Sequence, residues 1–134
     1  MRAIDANVIL RYFLRDNHDL WQRATVLIES PEVLGLTPVA LAEVAWTLAG
    51  PTYALDRTAV ASELITLLTR QNVEPLGFDK AEGYAALLTC LPPQCQADFG
   101  DALIAASARS FGVNEIYSFD QRFARAGLTP VPPP

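Results

Sequence analysis

Five carboxylates stand out by their neighbours. Glu43 lies in Pro38-Val39-Ala40-Leu41-Ala42-Glu43-Val44-Ala45-Trp46-Thr47-Leu48, and the positions three and four residues away, Val39, Ala40, Trp46 and Thr47, hold no base. A buried carboxylate without a partner is costly, so Glu43 either meets a cation or lies at the edge of a solvated stripe. Asp98 and Asp101 stand three apart in Asp98-Phe99-Gly100-Asp101-Ala102-Leu103-Ile104-Ala105-Ala106. That spacing puts both on one helical face, or leaves Asp98 to cap the helix while Asp101 projects from its first turn. Asp5 and Asp120 each follow a short apolar stretch. Each acid has a plainer reading: a cap for Asp5, complements to a helix dipole for Asp98 and Asp101, a turn residue for Asp120. Taken together, clustered carboxylates repel and call for a hard divalent cation, and oxygen-only ligation suits Mg²⁺ or Mn²⁺. Such an ion activates water and offsets charge building on a phosphate during in-line displacement, which makes phosphodiester hydrolysis the leading chemistry.

The apolar pattern predicts the elements that position these acids. A strand over Met1–Ile4 hands over at Asp5-Ala6-Asn7 to a helix through Val8, Ile9, Leu10, Tyr12, Phe13 and Leu14. Asn17 caps a second helix, with Leu20, Ala24, Leu27 and Ile28 at helical spacing, that stops at Ser30-Pro31. A brief strand over Val33–Leu36 precedes Thr37 as N-cap and Pro38 in the first helical position, and that helix runs to Gly50-Pro51. Asp56 or Arg57 opens a helix reaching Gln71-Asn72, followed by a strand over Val73–Leu76 that contains Pro75. Further helices are predicted over Phe78–Leu91 and Phe99–Phe111, the latter closed by Gly112. A strand over Ile116–Ser118, a short helix over Gln121–Ala126 stopped by Gly127, and a strand over Leu128–Val131 complete a single domain, residues 1–131; Pro132-Pro133-Pro134 forms a tail.

Short strands alternating with longer helices imply an α/β fold, with a mostly parallel sheet flanked by helices. Ligands of such sheets bind outside the carboxyl ends of the strands, the edge that Asp5 and Asp120 reach.

Composition narrows the function. The 134 residues are 51% hydrophobic and 19% charged, which favours a folded core and leaves apolar surface for an oligomer or partner. Ten basic against fifteen acidic residues give a net charge of -5, so the overall basic field of a general nucleic-acid binder is absent. One His and two Cys cannot build a four-ligand zinc site, and the two cysteines, Cys90 and Cys95, suit a reducing cytoplasm. No stretch reads as a membrane span, and an acid at position 5 argues against a signal peptide.

In order, and over essentially the whole chain, four stretches resemble the motifs of PIN-domain ribonucleases, in particular the VapC-type toxins of toxin–antitoxin systems. They are Asp5-Ala6-Asn7-Val8-Ile9-Leu10, the helix bearing Glu43, the Asp98–Ala106 run, and Ser118-Phe119-Asp120-Gln121-Arg122-Phe123. The resemblance implies a PIN-like three-layer sandwich, a metal-dependent endoribonuclease, a homodimer and a VapB-like antitoxin. It assigns Asp5, Glu43 and Asp101 as metal-binding acids, Asp120 as the fourth and Asp98 as an accessory one, holding one or two Mg²⁺ or Mn²⁺ ions. It also makes Asn7 the residue that orients Asp5 and places Ser118 in the small hydroxyl position before the fourth acid. Ala6 stands where family members often carry Thr or Ser, and Ser118 where they carry Thr; both departures bear on positioning.

Arg11, Arg15, Arg122 and Arg125 are candidates for gripping an RNA backbone, each also readable as part of a solvated face. Net acidity lowers non-specific RNA affinity, which favours a particular folded RNA as substrate. Trp21, Trp46 and Tyr53 could form a dimer or antitoxin surface, or in the case of Trp46 ordinary core. Among other enzymes, an aspartyl phosphotransferase would want a second Asp where Asn7 stands and a late Lys, whereas Lys80 is the only lysine. A Ser-His-Asp or Cys-His hydrolase would need His18, which sits in the polar turn Asp16-Asn17-His18-Asp19. Cys90 and Cys95, spanning Pro92-Pro93, do not match a dithiol active site. The remaining alternative is a PIN-like interaction module without catalysis.

Overall fold

The computed structural model describes residues 1–134. Strand β1 (Arg2–Ala3) pairs in parallel with β2 (Leu34–Leu36), Arg2 opposite Leu34 and Ala3 opposite Gly35. On its other side β2 pairs in parallel with β3 (Val73–Pro75). All three residues of β2 are buried, as a central strand covered on both faces requires. Strands β4 (Glu115–Tyr117) and β5 (Thr129–Val131) form a second parallel ladder. The parallel pairing is as expected, but the sheet is divided into a three-stranded and a two-stranded ladder. Short strands are one reason: β1 offers only two residues, and both pair with β2.

Six α-helices pack around these strands: α1 (Ala6–Leu14), α2 (His18–Ile28), α3 (Pro38–Ala49), α4 (Arg57–Leu68), α5 (Lys80–Leu88) and α6 (Phe99–Ser110). Their starts follow cap chemistry. Asn17 Oδ1 accepts the Leu20 N–H at 3.1 Å, Thr37 Oγ1 accepts the Ala40 N–H at 3.1 Å, and Asp56 Oδ1 accepts the Thr58 N–H at 2.8 Å. A 3-10 turn over Gln121–Ala126 ends at Gly127, whose φ of 92° is left-handed.

Two helices are shorter than the sequence suggests, and just past each of them a side chain from elsewhere in the chain bonds a backbone carbonyl. Helix α4 stops at Leu68; the Arg70 carbonyl accepts from Lys80 Nζ at 2.7 Å, and the Asn72 amide donates to the Ile28, Ser30 and Glu32 carbonyls. Helix α5 begins after Asp79 and ends at Leu88; beyond it, the Cys90 carbonyl accepts from Gln96 Nε2 at 2.6 Å and the Leu91 carbonyl from the Thr58 hydroxyl at 3.0 Å.

The core is continuous and apolar, with Ile9, Leu34, Leu36, Leu41, Val44, Leu64, Leu68, Leu87 and Phe99 in its interior and no buried charged residue. Ala45, Ala102, Ala105 and Ala106 are fully buried, and their small side chains suit the close approach of α3 and α6. Three helical segments thus start just past parallel strands: α1 after β1, α3 after β2 and the 3-10 turn after β4.

Candidate active site

Asp5 occupies the N-cap position of α1, yet its side chain makes no capping hydrogen bond. Its backbone carbonyl accepts from the Val8 N–H at 3.1 Å, so the helix starts without help from the carboxylate. The carboxylate is exposed and takes part in no ion pair. Asp98 behaves differently. Its Oδ1 accepts from the Gly100 N–H at 2.8 Å and more weakly from the Asp101 N–H at 3.4 Å, the plain capping role for the start of α6. Its Oδ2 meets Arg57 at 3.5 Å, and the Arg57 guanidinium lies 5.2 Å from the Phe99 ring centroid.

Asp101, in the first turn of α6, is half-buried and belongs to no ion pair. Burial, then the charges of Asp98 and Asp120, hold its carboxyl above the usual carboxylate range, with Arg122 acting weakly in the other direction. Asp98 and Asp120 thus lie near enough for their charges to be felt at Asp101.

Asp120 is the most heavily engaged. Its carboxylate accepts from the Arg122 backbone N–H at 2.9 Å, and the Arg122 guanidinium grips both oxygens, with Nε at 3.0 and 3.1 Å and a terminal nitrogen at 2.9 Å. That fork holds the Asp120 carboxyl below its ordinary value. Ser118 sits behind it: its hydroxyl accepts the Asp120 N–H at 2.9 Å and fixes the turn from which the carboxylate projects.

Glu43 takes the second of its two expected settings. It is exposed on α3, beside exposed Val39 and Trp46, so the cost of a buried charge does not arise and the solvated edge is its setting. Asn7 lines a groove of about 520 Å³ between α1 and α2, with Arg11 and Leu20 among its neighbours, and does not hydrogen-bond Asp5. Arg11 is tied to Asp16 at 2.8 Å and Arg15 covers Trp21 at 5.2 Å. Both lie toward the far end of α1, Arg15 about 15 Å from Asp5 at the helical rise. Arg122 and Arg125 do act on Asp120. Arg57, 41 residues from Asp98, carried no local signal that could have marked it.

His18 is exposed and stacks near Trp21 at 5.7 Å. Cys90 is buried, with its thiol pushed up to about 11 mainly by desolvation, whereas Cys95 is exposed; both are free thiols.

The oxygen-only donor set fits a hard divalent cation, and the unrelieved repulsion at Asp101 is what such a charge would remove. The side chains as placed do not yet converge: no three acidic, His or Cys groups are grouped so as to hold a metal ion. Asp98 and Asp120 are instead neutralised by Arg57 and Arg122.

Comparison with known proteins gives one match. The PIN domain family matches residues 3–128, nearly the whole chain. No curated protein and no solved structure matches.

Proposed function

The chain belongs to the PIN domain family, and from that premise we propose that it is a metal-dependent endoribonuclease, the toxin of a VapBC-type toxin–antitoxin pair. PIN domains are generally nuclease domains that use divalent metals such as Mg²⁺, and their α/β architecture of helices and short parallel strands is the one described above. The observation that carries the proposal is Asp101: half-buried, unpaired and repelled by Asp98 and Asp120 beside the strand-end turn of Asp120.

In this reading Asp5, Glu43, Asp101 and Asp120 hold Mg²⁺ or Mn²⁺, with Asp98 as accessory. When bound, the cation lowers the pKa of water and offsets negative charge on the phosphodiester. Ser118 holds the Asp120 turn, and Asn7, two residues after Asp5, would orient that carboxylate. Arg122 and Arg125 meet the RNA phosphates, with Arg57 beside Asp98 as a third cation; Arg11 and Arg15 extend the path along α1. Free thiols at Cys90 and Cys95 suit the cytoplasm, and no helix is long and apolar enough to cross a membrane. Exposed Val39, Trp46, Phe111 and Phe119 supply apolar area for a homodimer and for a VapB-like antitoxin.

The test is cleavage of labelled total cellular RNA by the purified protein with Mg²⁺ or Mn²⁺ and with EDTA, beside Asp5→Asn. Discrete metal-dependent fragments, lost in EDTA and in the variant, are expected. A second reading, a PIN module that binds without cleaving, draws support from the pairing of Asp98 and Asp120 with arginines. Well-folded protein, metal-supplied and free of partners, that leaves RNA intact would favour it.

A further inference from the structure

We propose that Phe119 is a base-stacking platform on which an unpaired nucleotide of the RNA lies, with Arg122 and Arg125 meeting the phosphates of the same stretch. The inference rests on the nuclease reading and deepens it by naming how the RNA is held. Phe119 is 89% exposed, and Tyr117, two residues earlier, is 72% exposed. A phenyl ring left in water forgoes the transfer free energy of its whole surface, so its exposure calls for a reason. A loose turn is not that reason. The Ser118 N–H donates to the Val131 carbonyl at 3.0 Å, the Ser118 hydroxyl accepts the Asp120 N–H at 2.9 Å, and the Asp120 carboxylate accepts the Arg122 N–H at 2.9 Å. Behind the turn, Phe123 and Ala126 are buried in the core. Phe119 thus stands between two residues fixed by hydrogen bonds, and a platform ordered in advance costs less to bind.

The cations that follow the ring decide what covers it. The centre of a protein interface is depleted of charge, whereas single-stranded nucleic acid is held by aromatic faces together with basic side chains. Arg122 and Arg125 stand three and six residues after Phe119, both exposed on the 3-10 turn. Residues three apart eclipse in such a turn, and its rise of about 2 Å per residue sets them about 6 Å apart along the axis. Two guanidinium groups therefore leave from one side, at a spacing suited to neighbouring phosphates of an extended strand. Arg125 belongs to no ion pair. Arg122 forks onto Asp120 through Nε and one terminal nitrogen, so its other terminal nitrogen can donate to a phosphate while the fork stays closed. The closed fork also offsets the carboxylate charge next to Phe119, which eases the approach of an anion. Such a platform takes an unpaired base, because both faces of a paired base are already stacked inside a duplex.

The experiment is fluorescence anisotropy of the full chain with a short fluorescein-labelled single-stranded RNA of randomised sequence and with an RNA duplex of equal length. EDTA is present throughout, which keeps cleavage out of the readout. Wild type is compared with Phe119→Ala, Phe119→Leu, Phe119→Trp and Arg125→Gln; these side chains are exposed, so the variants should fold, which circular dichroism checks. Phe119→Ala should weaken single-strand binding roughly five- to thirtyfold. Phe119→Leu should fall with it, being apolar without a π face, while Phe119→Trp should bind at least as tightly as wild type. Duplex affinity should be the same in all three. Arg125→Gln should reduce the slope of log affinity against log salt by about 0.7, a change that Phe119→Ala does not make. Unchanged single-strand affinity in Phe119→Ala, or full affinity in Phe119→Leu, overturns the platform and leaves the nuclease reading standing. Unchanged RNA affinity with a smaller mass in light scattering for Phe119→Ala also overturns it and places the ring in a protein interface. Wild type that binds no single-stranded RNA in EDTA overturns the platform as well, and RNA cleavage then decides the nuclease reading by itself.

Discussion

Asp101 and Asp120 are the same residue type in one neighbourhood, yet their carboxyls move in opposite directions because one meets burial and like charge while the other meets a guanidinium. For Asp101 the folded value lies above the unfolded one, so its ionised form weighs against folding. That penalty is absent below the ordinary carboxylate range and complete above the raised value. For Asp120 the sign reverses: its contribution is present above the ordinary value and disappears as pH falls through the lowered one. Asp101→Asn should therefore stabilise the metal-free protein at neutral pH. Solvent screens this partly exposed group, so the gain is about 0.5 kcal/mol, or about 2 °C in Tm. Thermal denaturation at pH 7 should show the gain and at about pH 3 should not, since both forms are then neutral. The same substitution should abolish metal-dependent RNA cleavage, separating stability from function at one position.

At the scale of elements, the site depends on helices that begin at fixed points and pack closely behind them. Thr37-Pro38 and Asp98 announce the starts of α3 and α6 in the sequence itself, because cap and first-turn preferences are local. The ends of α4 and α5 are not announced, because Lys80, Gln96 and Thr58 reach the carbonyls just past them from other parts of the chain. Gly83 in α5 shows how tight the supporting layer is: a Cβ there would collide with the Phe78 ring and press on Leu68. Gly83→Ala should destabilise the fold by about 2 kcal/mol through overpacking, measured as a lower midpoint in urea with an unchanged slope.

At the scale of the whole molecule, the proposed nuclease role sets an acidic protein, of net charge -5, against an acidic substrate, so local arginines would have to make the contact. Apolar side chains remain on the outside, Phe119 at 89% and Phe111 at 81% exposure, with Val39 and Trp46 together on α3. Scattered apolar exposure is ordinary, and the proposed homodimer would draw on these bulky side chains. Light scattering on purified protein should give twice the 14.6 kDa chain mass if the homodimer forms. A mass equal to one chain would remove the dimer from the proposal.

By itself the sequence determined the succession of short strands and helices, the caps that start α2, α3, α4 and α6, and the residues that could carry chemistry. Each of these follows from spacing within a few residues. Only the tertiary structure decided that Glu43 is exposed, that Asp98 meets Arg57, and that Asp101 is half-buried and repelled by its acidic neighbours. It also decided which arginines reach the acids: Arg122 and Arg57 do, while Arg11 and Arg15 turn to Asp16 and Trp21. The physical reason is that burial and charge pairing are properties of space. Residues 41 positions apart, such as Arg57 and Asp98, meet only when the chain folds, and no local pattern encodes that meeting.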